Sequence, residues 1–208
     1  MKIILDPGHG LSSRQEGVYD PGAVAVHGGF RYEEASIVMD YALTARAVLR
    51  VAGIDAILTR TRTERLVNGQ LIVEHTPSPL ANRTKMVAQH DAAALVSLHL
   101  NASKDASARG LEVFYRFDHQ RPFAETVYRH LAELVRDFMP LRGVKQASFV
   151  VLRTDKPAAL IELGFISNPT DAQFIRPNDA VEYRSRRIQI ANALERALRE
   201  YFPRRSNR

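Results

Sequence analysis

Two histidines end strongly apolar runs, and a glutamate interrupts a third. His9 follows KIILDPG, where Ile3, Ile4 and Leu5 read as a strand buried on both faces and Asp6-Pro7-Gly8 forces a sharp turn. His99 ends the buried run Ala93 to Leu100, and Glu162 lies within Ala158 to Phe165. A titratable group at the end of a buried strand is where open α/β sheets place their chemistry. The chain has no cysteine, so a transition metal would need imidazole and carboxylate ligands, which favours a catalytic site over a structural one. Hydrolytic zinc takes three such ligands, leaves a position open to water and works with a nearby base. His9, His99 and a glutamate from Glu33 or Glu34 supply the ligands, with Glu162 as acid/base. Adjacent helical residues point about 100° apart, so only one of the two glutamates can face the site. Residue chemistry leaves that choice open, since acids in a first turn also complement the helix dipole. An acid inside an apolar strand carries a desolvation penalty unless it is paired or functional, which favours function for Glu162. His27, His75, His90, His119 and His130 read as surface residues.

The elements that would position these groups alternate along the chain. Strands are expected at residues 2–5, 55–59, 93–100, 110–116, 148–153 and 158–162, and helices at 33–51, 80–89, 123–138 and 180–202, with a short helical stretch after Ser167-Asn168-Pro169. Leu11 to Gly29, interrupted by Asp20-Pro21-Gly22-Ala23, and the polar stretch Arg60 to Pro79 read as long loops. This pattern predicts one α/β domain over residues 1–203, a mostly parallel twisted sheet of about six strands flanked by helices. Residues 204–208 would form a basic tail.

Composition narrows the partners. Lysine and arginine number 29 against 23 acids, a net charge of +6 and a pI near 9.8, which favours a polyanion. The basic residues are dispersed, aromatics make up 8%, and no RNA-binding signature or zinc finger is present, so no nucleic-acid partner is expected. No apolar run approaches the roughly 18 residues of a membrane span, and no export signal precedes the first strand, so a soluble product without membrane insertion is expected.

The chain also resembles the zinc-dependent N-acetylmuramoyl-L-alanine amidases of the type-3 family. The matching segments are IILDPGHG, DPGA, the glutamate before the first long helix, TRT, ANRTKMVAQHDAAALVSLHLNAS, GLEVF, GVKQASFVVLR and PAALIELGFISNPTDAQFI, in that order. The resemblance implies that His9, Glu34 and His99 hold zinc (Zn2+) and that Glu162 is catalytic. It implies hydrolysis of the amide between the lactyl group of muramic acid and the first alanine of the stem peptide, with peptidoglycan as partner. Glu162 would accept a proton and return it to the departing amine. Asp6 and Asn101 would face the ligands or the substrate, or form turns, and Arg83 would make a buried pair or meet a substrate carboxylate. A peptidase cutting within the stem uses the same chemistry, and a metal-free wall-binding module is a further alternative. The bare domain resembles a phage endolysin held in the host cytoplasm before lysis, the alternative being an exported bacterial enzyme whose signal is absent from this chain.

Overall fold

A computed structural model describes residues 1–11, 18–67, 70–75 and 80–203. In chain order the elements are β1 (Lys2–Pro7), β2 (Gly10–Leu11), β3 (Tyr19–Asp20), β4 (Val24–His27), β5 (Phe30–Glu33), α1 (Glu34–Val51), β6 (Asp55–Leu58), β7 (Arg62–Val67) and β8 (Gln70–His75). There follow α2 (Leu80–Gln89), β9 (Ala94–Asn101), β10 (Leu111–Tyr115), α3 (Arg121–Val135), β11 (Leu141–Gln146), β12 (Ala158–Phe165), α4 (Pro169–Ile175) and α5 (Ala180–Tyr201). Six strands form one sheet in the order β11-β10-β12-β9-β1-β6. Only the β10 and β12 pair runs antiparallel. The chain is therefore a single α/β domain with a mostly parallel sheet.

The two faces of this sheet are covered unequally. Ile3, Leu5, Val96, Leu98, Val113, Ala159 and Ile161 point towards α1, α3 and α5, which bring Val38, Leu49, Phe123, Leu131, Ile190 and Leu194 to the larger core. The alternate residues Ile4, Leu95, Ala158 and Leu160 meet only α2 and the short 3-10 turn Val150–Leu152, through Val87, Val151 and Leu152. Strand side chains alternate with a period of two, so Asp6, Ser97, His99, Glu112 and Glu162 all belong to the lightly covered face.

Several expectations need correction. Residues 148–153 are not a strand: they contain the turn Val150–Leu152, and the place beside β10 belongs to Leu141–Gln146. Side chains satisfy the carbonyls that a ladder would have used, Arg116 donating to Ser148 and Phe149 and Gln120 to Leu152 and Thr154. An edge strand with mostly accessible side chains carries little apolar pattern, which hid β11 in the sequence. The stretch after Arg60 is not a plain loop but contains the antiparallel pair β7 and β8, with Val67 opposite Gln70. The intervening Asn68-Gly69 is a favoured two-residue hairpin sequence. The first long loop contains the end of β2 and the short strands β3 and β4 among its described residues, and the helix after Phe117 stops at Val135, leaving Phe138 half exposed. His130 is buried rather than on the surface, with Nε2 2.9 Å from Glu200 Oε2. Residues 204–208, expected as a basic tail, and residues 12–17 of the first long loop lie outside the described residues.

The end of β12 is tied down by Asp171, which is fully buried. Its Oδ2 accepts from the Gly110 amide at 2.6 Å and the Phe165 amide at 3.1 Å, and its Oδ1 from Arg109 Nε at 3.1 Å. Replacing it with alanine orphans two buried donors, so Asp171→Ala is expected to cost about 2–4 kcal/mol in urea unfolding. A loss below about 0.5 kcal/mol would show that this junction does not depend on the carboxylate.

Candidate metal centre

The turn after β1 is held by two buried arginines. Arg60 donates from Nε to the Pro7 carbonyl at 2.8 Å and from Nη2 to Gly8 at 2.7 Å and Ala35 at 2.8 Å. Arg83 donates to the His9 carbonyl at 2.6 Å, to Pro7 at 3.2 Å and to Asp6 Oδ1 at 3.1 Å. Every carbonyl from Pro7 to His9 is thus gripped, and His9 is kept at φ 60°. That left-handed conformation costs a non-glycine residue roughly 1–2 kcal/mol. Asp6 also accepts from Thr59 Oγ1 at 2.5 Å and Ser97 Oγ at 2.6 Å. Burial alone would raise its pKa, but Arg83 and the two hydroxyls outweigh that and hold it below the usual value. Asp6 and Arg83 therefore form a buried structural pair. Asn101 ends β9, its side chain accepting the Ala102 amide at 2.8 Å and its carbonyl the Ile166 amide.

From this turn the His9 ring meets Glu34 and His99. His9 Nε2 lies 3.1 Å and His99 Nδ1 2.9 Å from Glu34 Oε1, and the two rings sit 5.0 Å apart in an edge arrangement. Backbone amides hold the carboxylate, Leu100 at Oε1 and Ala23 at Oε2. Although burial would raise its pKa, the two imidazoles bring Glu34 far below the ordinary carboxylate range. Glu33 turns away, accepting from the Tyr19 hydroxyl and Arg31. Asp20 Oδ2 is 3.0 Å from His9 Nδ1, and Asp20 Oδ1 accepts the Gly22 amide. The carbonyls of Pro21 and Ala23 accept the first amides of α1, so one turn positions both Asp20 and Glu34.

Two glycines permit this closeness. A Cβ on Gly8 would stand 2.2 Å from the His99 ring, and one on Gly22, at φ 68°, would stand 2.6 Å from Glu34 Oε2. The ligand atoms of His9, Glu34 and His99 all lie within 4.8 Å of one another. Tetrahedral zinc with bonds near 2.0 Å separates its ligand atoms by about 3.3 Å, so this two-nitrogen, one-oxygen set fits such an ion. Glu162, on the strand next to His99, is the register partner of that histidine. It is 9% exposed, and its Oε2 has no hydrogen-bond partner among the described residues. Burial, then the charges of Glu34 and Glu112, push its pKa well above the usual carboxylate value.

The family model described as N-acetylmuramoyl-L-alanine amidase, Amidase_3, matches residues 3–199. The chain belongs to that family. Among relatives of this amidase-family chain, "Probable cell wall amidase LytH" of Staphylococcus saprophyticus is 29% identical over 207 residues, covering 96% of this chain and 58% of the relative. The protein of the same name from Staphylococcus aureus is 33% identical over 177 residues, covering 84% and 51%. The chain thus spans little more than half the length of these relatives. The solved N-acetylmuramoyl-L-alanine amidase of Clostridium difficile 630 superposes with a TM-score of 0.76 at 26% identity, covering 99% of this chain and 98% of that one. AmiC2 of Nostoc punctiforme gives 0.73 at 25% identity, covering 98% of each chain.

Residue types alone point to His9, His99 and Glu162, but miss Asp20 and Arg60. Asp20 sits in the conspicuous Asp-Pro-Gly-Ala turn, which reads as a turn former, and Arg60 in an arginine-rich stretch that reads as solvent-exposed. Removing one member of a buried ion pair leaves the other unpaired. Arg83→Met is therefore expected to destabilise the protein by about 3–5 kcal/mol in urea unfolding, and Arg83→Lys to recover little of it. Equal stability of Arg83→Met and wild type would remove the pair from its structural role.

Proposed function

We propose that this chain is the catalytic unit of a zinc-dependent peptidoglycan amidase, cutting the amide between the lactyl group of N-acetylmuramic acid and L-alanine. One observation carries the reading: two imidazoles and a carboxylate converge at the carboxyl ends of β1 and β9, and an unpartnered buried carboxylate stands on the adjacent strand. His9, Glu34 and His99 would hold the metal. Bound there, zinc supplies Lewis-acid polarisation of the lactyl carbonyl and lowers the pKa of water.

This chain's residues do the rest. Glu162 accepts the proton that the attacking water loses as its oxygen bonds to the carbonyl carbon. It returns that proton to the alanine nitrogen as the carbon–nitrogen bond breaks, ending as it began. A carboxyl whose burial raises its pKa suits both halves of that transfer. Asp20 fixes the ring of His9 through Nδ1, leaving Nε2 to face Glu34 and the ion. Arg60 and Arg83 keep the turn beneath it from relaxing.

Mass spectrometry of purified peptidoglycan after digestion tests the bond that is cut. New free amines on the first alanine, with intact lactyl carboxyls on the glycan and neither after chelation, are expected. New ends elsewhere in the stem would mean a peptidase. Glu162→Gln is expected to lower kcat by about 10²–10⁴ while zinc still binds. Asp20→Asn is expected to weaken zinc binding about 10- to 100-fold, read by competition with a chelating dye.

The raised pKa of Glu162 also sets a pH dependence for the metal-free protein. In the unfolded chain this carboxyl ionises near the ordinary 4.5, whereas the folded carboxyl keeps its proton to higher pH. Folding therefore takes up a proton between those values, and stability falls as pH rises through that window. Glutamine does not titrate, so Glu162→Gln should match wild type in Tm near pH 4 and exceed it increasingly towards pH 8. A Tm difference that stays constant over that range would be inconsistent with a perturbed carboxyl.

A further inference from the structure

Next to Glu162 lies a second acid that hydrolysis leaves unused. Glu112 on β10 is opposite Glu162 in the register, so both leave the same face with Cβ atoms roughly 5 Å apart. Glu112 is only 3% exposed. Its Oε1 accepts from Lys145 Nζ at 2.9 Å and from Arg142 Nε, both on the edge strand β11. One carboxylate faces two cations, which leaves one positive charge in surplus.

Those cations extend beyond what pairing with Glu112 uses. The side chains of Arg142 and Lys145 are 37% and 42% accessible, against 4% for Glu112. Among the described residues, the terminal nitrogens of Arg142 and the remaining protons of Lys145 donate to no protein group. The guanidinium lies over the ring of Phe165, 5.1 Å from its centroid, at the carboxyl end of β12. A planar fork and a point charge side by side suit a carboxylate.

Strand order gives the direction. His99 and His9 belong to β9 and the end of β1 on one side of β12, whereas Glu112, Arg142 and Lys145 lie on β10 and β11 on the other. Glu162 serves the departing amine, so the peptide attached to that amine runs away from the imidazoles and over β10 and β11. Two strand spacings amount to roughly 10 Å, which about three extended residues span.

We infer that Arg142 and Lys145 form a subsite for a free carboxylate on the peptide side of the scissile amide, within about three residues of it. The inference rests on the amidase reading of the neighbouring site. An acidic residue of a wall peptide presents this group when free and loses it when amidated. The subsite therefore discriminates between acid and amidated stems.

The test measures kcat and KM of the zinc-loaded protein on two muramoyl peptides, identical except that the acidic second residue is free in one and amidated in the other. Wild type is expected to prefer the free acid. Lys145→Met is expected to lower that preference about three- to tenfold, the change appearing in KM, and Lys145→Arg to restore most of it. Arg142→Lys, which keeps the charge but loses the fork, should lower the preference by a smaller factor. Cleavage of both peptides with equal kcat/KM by wild type, or a preference unchanged in Lys145→Met, would overturn the subsite while leaving the amidase reading intact. Cleavage of neither peptide would overturn both.

Discussion

The buried carboxylate of Asp6 is the constraint on which the site depends. Taking an ion from water costs several kcal/mol, and this one is compensated by one guanidinium and two hydroxyls drawn from α2, β9 and the end of β6. Because Arg83 must remain to neutralise Asp6, its fork is fixed as well: Nη1 donates to both Asp6 and the Pro7 carbonyl, and Nη2 holds the carbonyl of His9. Arg60 adds a grip on Gly8 and reaches the first turn of α1. A charge in the core of the sheet thereby dictates the backbone of an accessible imidazole one turn away.

The second constraint is the uneven cover of the sheet. Three long helices seal one face, while α2 and a single 3-10 turn cover part of the other. Polar residues on that second face are therefore of two kinds. Asp6 pairs with Ser97 and with Arg83 of α2, whereas His99 meets Glu34 and Glu162 keeps an unpartnered oxygen among the described residues. The same strand period that buries Ile4 and Leu160 delivers both kinds, so the unusual backbone around His9, Glu34 and His99 is confined to the turns that hold His9 and Gly22.

This explains how much the sequence discloses. A histidine or glutamate in an otherwise apolar strand contrasts with its neighbours, so His9, His99 and Glu162 are visible from local pattern, and the alternation of elements suffices for an α/β sheet. The Glu33 and Glu34 pair is invisible to that logic because both positions are polar. Tertiary contacts separate them, Glu33 meeting Tyr19 and Arg31 while Glu34 meets two imidazoles. Asp20, Arg60 and the strand β11 escape for a related reason: their roles depend on partners distant in sequence, and their own surroundings read as turn, loop and solvated edge. Apolar content misleads in the opposite sense at Phe149 and Val150, which are partly exposed.

Glu162 shows what the arrangement gives up. Between Glu34 and Glu112, in an apolar strand and with one oxygen unpartnered, it is the least favourable place for a carboxylate in this face of the sheet. A protein selected only for stability would pair it or replace it. The surrounding residues instead neutralise its neighbours: two imidazoles answer Glu34, and Arg142 and Lys145 answer Glu112. Among these three acids Glu162 is left without a counter-charge, so that burial and then the charges of Glu34 and Glu112 hold its pKa well above the usual carboxylate value, and the cations that pair with Glu112 lie on the edge strand beyond it. On the proposed reading, acid/base poise and recognition of the peptide would both arise from one distribution of charge across β9, β12, β10 and β11.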